Sequence, residues 1–429
     1  MQLPVERIRI TLSSDGEFGL AARYWSAKVA LVMGDDRYAL DVADGTVADF
    51  RPGPVAGPDV VLSGPDGDWA ELLAPVPRAY FQDVLSGARF GFHRVTVEGD
   101  QLSTVFPYYQ ALRRVVDVMR EALHEIAAPP PPAAAASRFD AATGRYVYLT
   151  VAGLQHRVYF EESGSGVPLL LQHTAGSDGR QFRHLLEDPE LRQRHRMIAY
   201  DLPYHGKSNP PAGTDWWAQE YRLTSAFLLE FVSELCAVLE LDRPIFCGCS
   251  IGGLLAPDLA CHRPDLCRAV IALNGTVKLA SKAPDQVMHR SWFDPRVASD
   301  WHAAWMLGRT SPHAPEAYRR ETAWYYAQAG PGILRGDLHY YQFEHDLDGL
   351  LGDIDTRRCA VYVVTGEYDP SRVAPFGAAE LAEGINGARY TVVGGAGHFM
   401  MSEDPDRFRG VLMPILDEIM SQPQGTRAL

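Results

Sequence analysis

The chain has 429 residues, 46 % of them hydrophobic, so it can bury more than one sizeable core and two domains are expected. Its formal net charge of −14 argues against nucleic acid or an anionic membrane surface as a partner. No apolar run is long enough to span a bilayer, no secretory leader is evident, and the six cysteines lack metal-type pairing, so a cytoplasmic protein with reduced thiols and no metal is expected.

Residues 1–127 read as a smaller α+β domain. Lys28–Met33 and Arg37–Val42 form a hairpin signal around Gly34-Asp35-Asp36. Thr46–Phe50, Asp59–Gly64 and Arg94–Glu98 are further strands of an expected antiparallel sheet. Short helices are expected near Trp69 and between Tyr80 and Leu85. A long helix from about Ser103 to Ile126 carries Leu112, Val115, Val116, Met119 and Leu123 on one face. This order, with the Asp44-Gly45 turn, the Asp59–Gly64 strand and Val95–Asp100 before the last helix, resembles the sterol-carrier-protein fold over residues 20 to 125. The resemblance implies an apolar tunnel that holds lipid or substrate. The bland reading is a packing module or a homodimer contact.

Pro129 to Pro132 and Ala133 to Ala136 mark residues 128–138 as a linker, because proline removes donors and favours extended chain. From 139 to 429, apolar strands alternate with helices, which implies a mostly parallel sheet covered on both faces. The informative stretch is Pro244-Ile245-Phe246-Cys247-Gly248-Cys249-Ser250-Ile251-Gly252-Gly253. A short apolar run enters Gly-x-Ser-x-Gly and a helical pattern follows. Small neighbours let a sharp turn push the Ser250 hydroxyl into a cleft, with the Ile251 N–H at a helix N-terminus beside it.

A serine hydroxyl needs a base, and the base needs an orienting acid. His398 lies in Gly395-Ala396-Gly397-His398, after the last expected strand. Asp369 follows Ala360–Val364, with Glu367 as a rival acid two residues earlier. Taken with His173-Thr174-Ala175-Gly176 and Asp201–Ser208, this part of the chain resembles an α/β-hydrolase over essentially its whole length. The resemblance implies an α/β-hydrolase fold and a Ser250, Asp369, His398 triad. It pairs the Ile251 N–H with that of Ala175 or, because Thr174 stands where the family usually has glycine, of Thr174. No cofactor is implied.

The stretch of about 276–355 is too long for one crossover and reads as a helical cap. Its aromatic residues include Trp292, Trp301, Trp305, Tyr340 and Tyr341; some are expected to line an apolar pocket. The leading function is hydrolysis of an ester or lactone of an apolar or aromatic substrate. Carbon–carbon bond hydrolysis of a β-diketone-like substrate is the alternative within the fold. A lipid-binding or scaffold protein with a vestigial hydrolase half is the alternative from another class.

Overall fold

The computed structural model describes residues 2–127, 136–279, 290–330 and 332–422. Most of the linker and residues 280–289 of the expected cap lie outside that set. The chain divides into two compact units, Met1–Ala133 with Asp285–Ala327, and Ala134–Pro284 with Gln328–Leu429.

The first unit holds strands β1 (Ala27–Met33), β2 (Asp36–Ala43), β3 (Thr46–Pro52), β4 (Val60–Gly64) and β5 (Thr96–Gly99), in the order β3-β2-β1-β4-β5. The sheet is not wholly antiparallel, as the hairpin signals had led one to expect. β4 returns beside β1 in parallel register, Val29 opposite Val60, because the chain crosses the sheet after β3 instead of turning back at its edge. The main helix is shorter than its periodicity suggests, Tyr109–His124, and a π turn, Gln101–Val105, precedes it. Two helices, Val5–Ser14 and Gly16–Ala21, precede β1. The Asp15 side chain caps the second by accepting from the Phe18 N–H.

This unit also contains helices Asp300–Leu307 and Glu316–Tyr326 from the inserted stretch. Trp301 stacks on Phe106 at 4.2 Å between centroids and meets Tyr109 edge-on at 5.5 Å. Trp305 lies nearly parallel to Trp301. These indoles are therefore core residues of the first unit.

The second unit is built on β6 (Thr143–Val151), β7 (Leu154–Ser163), β8 (Val167–Gln172), β9 (His195–Tyr200), β10 (Ile245–Cys249), β11 (Ala269–Leu273), β12 (Ala360–Gly366) and β13 (Arg389–Val393). Their order is β13-β12-β11-β10-β8-β9-β7-β6. Strands β8 to β13 pair in parallel, and the β6–β7 hairpin closes one edge antiparallel. β10 and β11 are buried at every position, which is why they read as continuous apolar runs. From β8 the chain adds β9 on one side and β10 on the other. The ends of β8 and β10 thus form a topological switch point, the position at which open α/β sheets bind ligands.

Candidate active site

Ser250 stands at that switch point. Gly248 pairs with Gln172, the last residue of β8, so Ser250 and the loop starting at His173 leave adjacent strands together. Ser250 has φ 58° and ψ −107°, a strained backbone for a residue with a side chain, between β10 and helix Ile251–His262. A Cβ on Gly248 would lie 2.6 Å from backbone atoms of Gly252, and one on Gly252 would lie 3.0 Å from the backbone oxygen of Gln172. The turn closes this tightly only because both positions are glycine. The Ile251 N–H is in the first helical turn, where no carbonyl of the helix can reach it.

Asp369 follows β12 and His398 follows β13. The structure brings the two together: His398 Nδ1 hydrogen-bonds Asp369 Oδ2, and both are buried. The other Asp369 oxygen accepts from the Ser371 N–H at 2.8 Å. Glu367 points elsewhere, its Oε2 accepting from the Gly395 N–H at 2.8 Å.

Two residues that sequence reasoning missed hold the histidine loop. Asn274 ends β11 with φ 53°; its Nδ2 donates to the His398 carbonyl at 2.8 Å, and its Oδ1 accepts from the Gly366 N–H and the Thr365 hydroxyl at 3.0 Å each. Glu403, fully buried, accepts from the Gly397 N–H. The Cys249 thiol also donates to the His398 carbonyl, at 3.1 Å, tying the residue before Ser250 to the histidine. Burial, with the Asp369 charge added, raises the Cys249 pKa well above the ordinary thiol value, so the sulfur keeps its proton and is no nucleophile.

The loop after β8 is pinned on both sides of Ala175. The Thr174 N–H donates to Gln181 Oε1 at 2.9 Å, and the Gly176 N–H donates to Asp337 Oδ2 at 2.7 Å. Between them, the Ala175 N–H has no acceptor among the described residues. Of the two donors considered from sequence, Thr174 is thus already engaged and Ala175 is free. His173 braces the same loop. Its Nδ1 faces the Thr174 carbonyl at 2.8 Å and its Nε2 accepts from the Leu202 N–H at 3.1 Å. One donor and one acceptor require the neutral ring. Burial, helped by the neighbouring His205, lowers its pKa to about 4, in agreement.

Asp337, in helix Ile333–His339, is completely buried and carries a second network. Its Oδ2 also meets His205 Nε2 at 2.8 Å, and its Oδ1 accepts from the Tyr221 hydroxyl at 2.9 Å. No spacing rule links position 337 to position 176. Among the aromatic residues of the inserted stretch, Tyr341 lies at Ser250, its hydroxyl hydrogen-bonded to Ser250 Oγ.

A profile of the alpha/beta hydrolase family matches residues 169–411, more than half of the chain. The chain belongs to the alpha/beta hydrolase family. Among curated proteins it is similar to the (E)-2-((N-methylformamido)methylene)succinate hydrolase of Acinetobacter baylyi, 25 % identical over 236 residues, which are 50 % of this chain and 77 % of that one. It is also similar to 3-oxoadipate enol-lactonase 2 of the same organism, 27 % identical over 37 % of this chain and 49 % of that one. Among solved structures, a thermophilic esterase from Thermogutta terrifontis superposes with a TM-score of 0.54 at 22 % identity, covering 64 % of this chain and 99 % of the esterase. The enol-lactonase from Burkholderia xenovorans superposes with a TM-score of 0.52 at 21 % identity, covering 63 % of this chain and all of that one. At these identities the superpositions speak for the fold alone. Among the described residues, no helix is long and apolar enough to cross a membrane.

Proposed function

We propose that this alpha/beta hydrolase is a serine hydrolase that cleaves an ester or lactone of an apolar or aromatic substrate. Ser250 Oγ attacks the carbonyl carbon while His398 takes its proton. Asp369 holds the imidazole through Nδ1, leaving Nε2 for the reacting groups. The carbonyl oxygen turns negative and is met by the N–H groups of Ile251 and Ala175. As the tetrahedral intermediate collapses, His398 returns the proton to the leaving oxygen. Water then repeats the sequence on the acyl-enzyme, with His398 again the base, and releases the acid and free Ser250.

The observation that carries this reading is that a strained, glycine-flanked Ser250 and a buried, hydrogen-bonded His398–Asp369 pair follow parallel strands of one sheet. The free Ala175 N–H between two pinned neighbours supports the oxyanion assignment. Relatives named as a hydrolase and an enol-lactonase support a hydrolytic reaction that includes lactones among its candidates.

The test is hydrolysis of a panel of p-nitrophenyl acyl esters and lactones by the full chain and by Ser250→Ala, alongside labelling with a fluorophosphonate. Activity and labelling that both disappear in Ser250→Ala are expected. Unchanged turnover in Ser250→Ala would refute the mechanism.

A further inference from the structure

The hydroxyl that meets Ser250 belongs to a segment with its own construction. Tyr340–Glu344 is a π turn, closed by the His345 N–H on the Tyr340 carbonyl at 2.9 Å. A π turn inserts an extra residue and is costly, so it persists where a side chain has to be aimed. Here it puts successive tyrosines in different places, with ring planes 76° apart. Tyr340 goes down into the core and Tyr341 goes to the nucleophile.

Tyr340 is anchored by Asp258, two turns along the helix that starts beside Ser250. Its hydroxyl donates to Asp258 Oδ2 at 2.5 Å. His345 grips the same carboxylate, with Nδ1 at 3.1 Å from Asp258 Oδ1, while its Nε2 lies 2.9 Å from the Thr276 carbonyl. Both ring nitrogens face oxygen acceptors, so both must donate and the ring is an imidazolium. Burial opposes that charge, but Asp258, the Thr276 carbonyl and Asp346 favour it, and the net His345 pKa is raised. The helix that presents Ser250 therefore also fixes, through a buried ion pair, the turn that presents Tyr341.

We infer that Tyr341 is a catalytic residue whose hydroxyl is a third hydrogen-bond donor, beside two backbone N–H groups, to the oxygen that becomes negative when Ser250 attacks. This rests on the serine-hydrolase reading above. The free enzyme already holds the Tyr341 hydroxyl on Ser250 Oγ. The carbon that bonds to Oγ brings its carbonyl oxygen into the range of that hydroxyl. In the attack Oγ gives up its proton to His398 and its lone pair to carbon, and the phenol turns its O–H to the new oxyanion. No proton leaves the tyrosine. The leaving oxygen has its proton from His398, so it needs no second acid.

The experiment compares the full-length wild type, Tyr341→Phe and Ser250→Ala. It measures fluorophosphonate labelling, pre-steady-state acylation by acetate esters of graded leaving-group acidity, and inhibition by a phenylboronic acid, which forms a charged tetrahedral adduct. Tyr341→Phe is expected to keep KM, to slow acylation about 10- to 100-fold, and to do so equally across the ester series. Boronate affinity is expected to fall by a similar factor. Acylation within about twofold of wild type would overturn the inference while Ser250→Ala remained dead. So would a loss confined to poor leaving groups, which would make Tyr341 a leaving-group acid. A labelled, active Ser250→Ala would instead remove the reading of Ser250, and this inference with it.

Discussion

Replacing Asp337 by Asn tests how the loop after β8 is held, because it removes charge and little else. The carboxylate accepts from the Gly176 N–H, from His205 Nε2 and from the Tyr221 hydroxyl at 2.7, 2.8 and 2.9 Å. An asparagine oxygen can take the first two, and its amide can face a hydroxyl that rotates to accept. His205 then suffers. Its Nδ1 faces the Pro203 carbonyl at 2.9 Å, so the ring needs both protons. Without Asp337 the buried imidazolium loses its hydrogen-bonded counter-charge, keeps only the field of Asp201, and is driven towards the neutral ring. The loss of a charge-assisted hydrogen bond costs about 1.5–3 kcal/mol. Asp337→Ala, which leaves the partner charge uncompensated, costs about 3–5 kcal/mol.

The pH dependence of that cost has a definite sign. Burial lowers the His205 pKa, Asp337 with the Pro203 carbonyl and Asp201 raises it, and the net direction is up. A raised histidine adds stability in full below its unfolded value, about 6.5, and the contribution is lost as pH rises through the folded value. The gap between wild type and Asp337→Asn in urea denaturation should be widest near pH 6 and shrink as pH rises through the raised His205 value. The His205 ring resonances should titrate at lower pH in the variant. A gap that is constant or that widens with pH would refute the charged pair.

Two further substitutions probe the Ser250 turn and the proposed triad. Gly248→Ala sets a Cβ 2.6 Å from the Gly252 backbone, and backbone cannot swing aside as a side chain would. It should destabilise by about 1–3 kcal/mol in thermal denaturation and abolish fluorophosphonate labelling. Asp369→Asn keeps the volume but favours the wrong imidazole tautomer, and should lower kcat by about 10³- to 10⁴-fold in the ester assay with the fold intact by circular dichroism.

The parts of the site that were legible in the sequence are local ones. A strand, Gly-x-Ser-x-Gly and a helix form one continuous motif, and the loops carrying Asp369 and His398 each follow a recognisable apolar strand. Glycine spacing reports backbone contacts a few residues away, which is why Gly248 and Gly252 could be read. The residues that brace these loops could not. Asn274 acts across to Gly366 and His398, Glu403 turns back to Gly397, and Asp337 reaches Gly176 through a helix in the insertion. Each is a single polar side chain whose burial depends on the whole tertiary arrangement. In the first unit, β4 carries the same alternating pattern whether it runs parallel or antiparallel to β1, so the pattern could not decide. The first two helices escaped notice because their apolar positions, Ile8, Leu12 and Phe18, are sparse among polar residues.

The inserted stretch is the least local element, and it divides by function. Helices Asp300–Leu307 and Glu316–Tyr326 spend Trp301 and Trp305 on the core of the first unit, against Phe106 and Tyr109. The segment that follows, from Ile333 to His345, belongs to the second unit. It supplies Asp337 to the Ala175 loop, Tyr340 and His345 to Asp258, and Tyr341 to Ser250. A chain shortened at Arg138 would therefore not simply lack a separable module. It would strip the packing partners from two helices encoded between β11 and β12, directly upstream in sequence of the segment that meets Ser250. Substitution at Tyr341, which leaves the packing of both units in place, tests the chemistry apart from that loss.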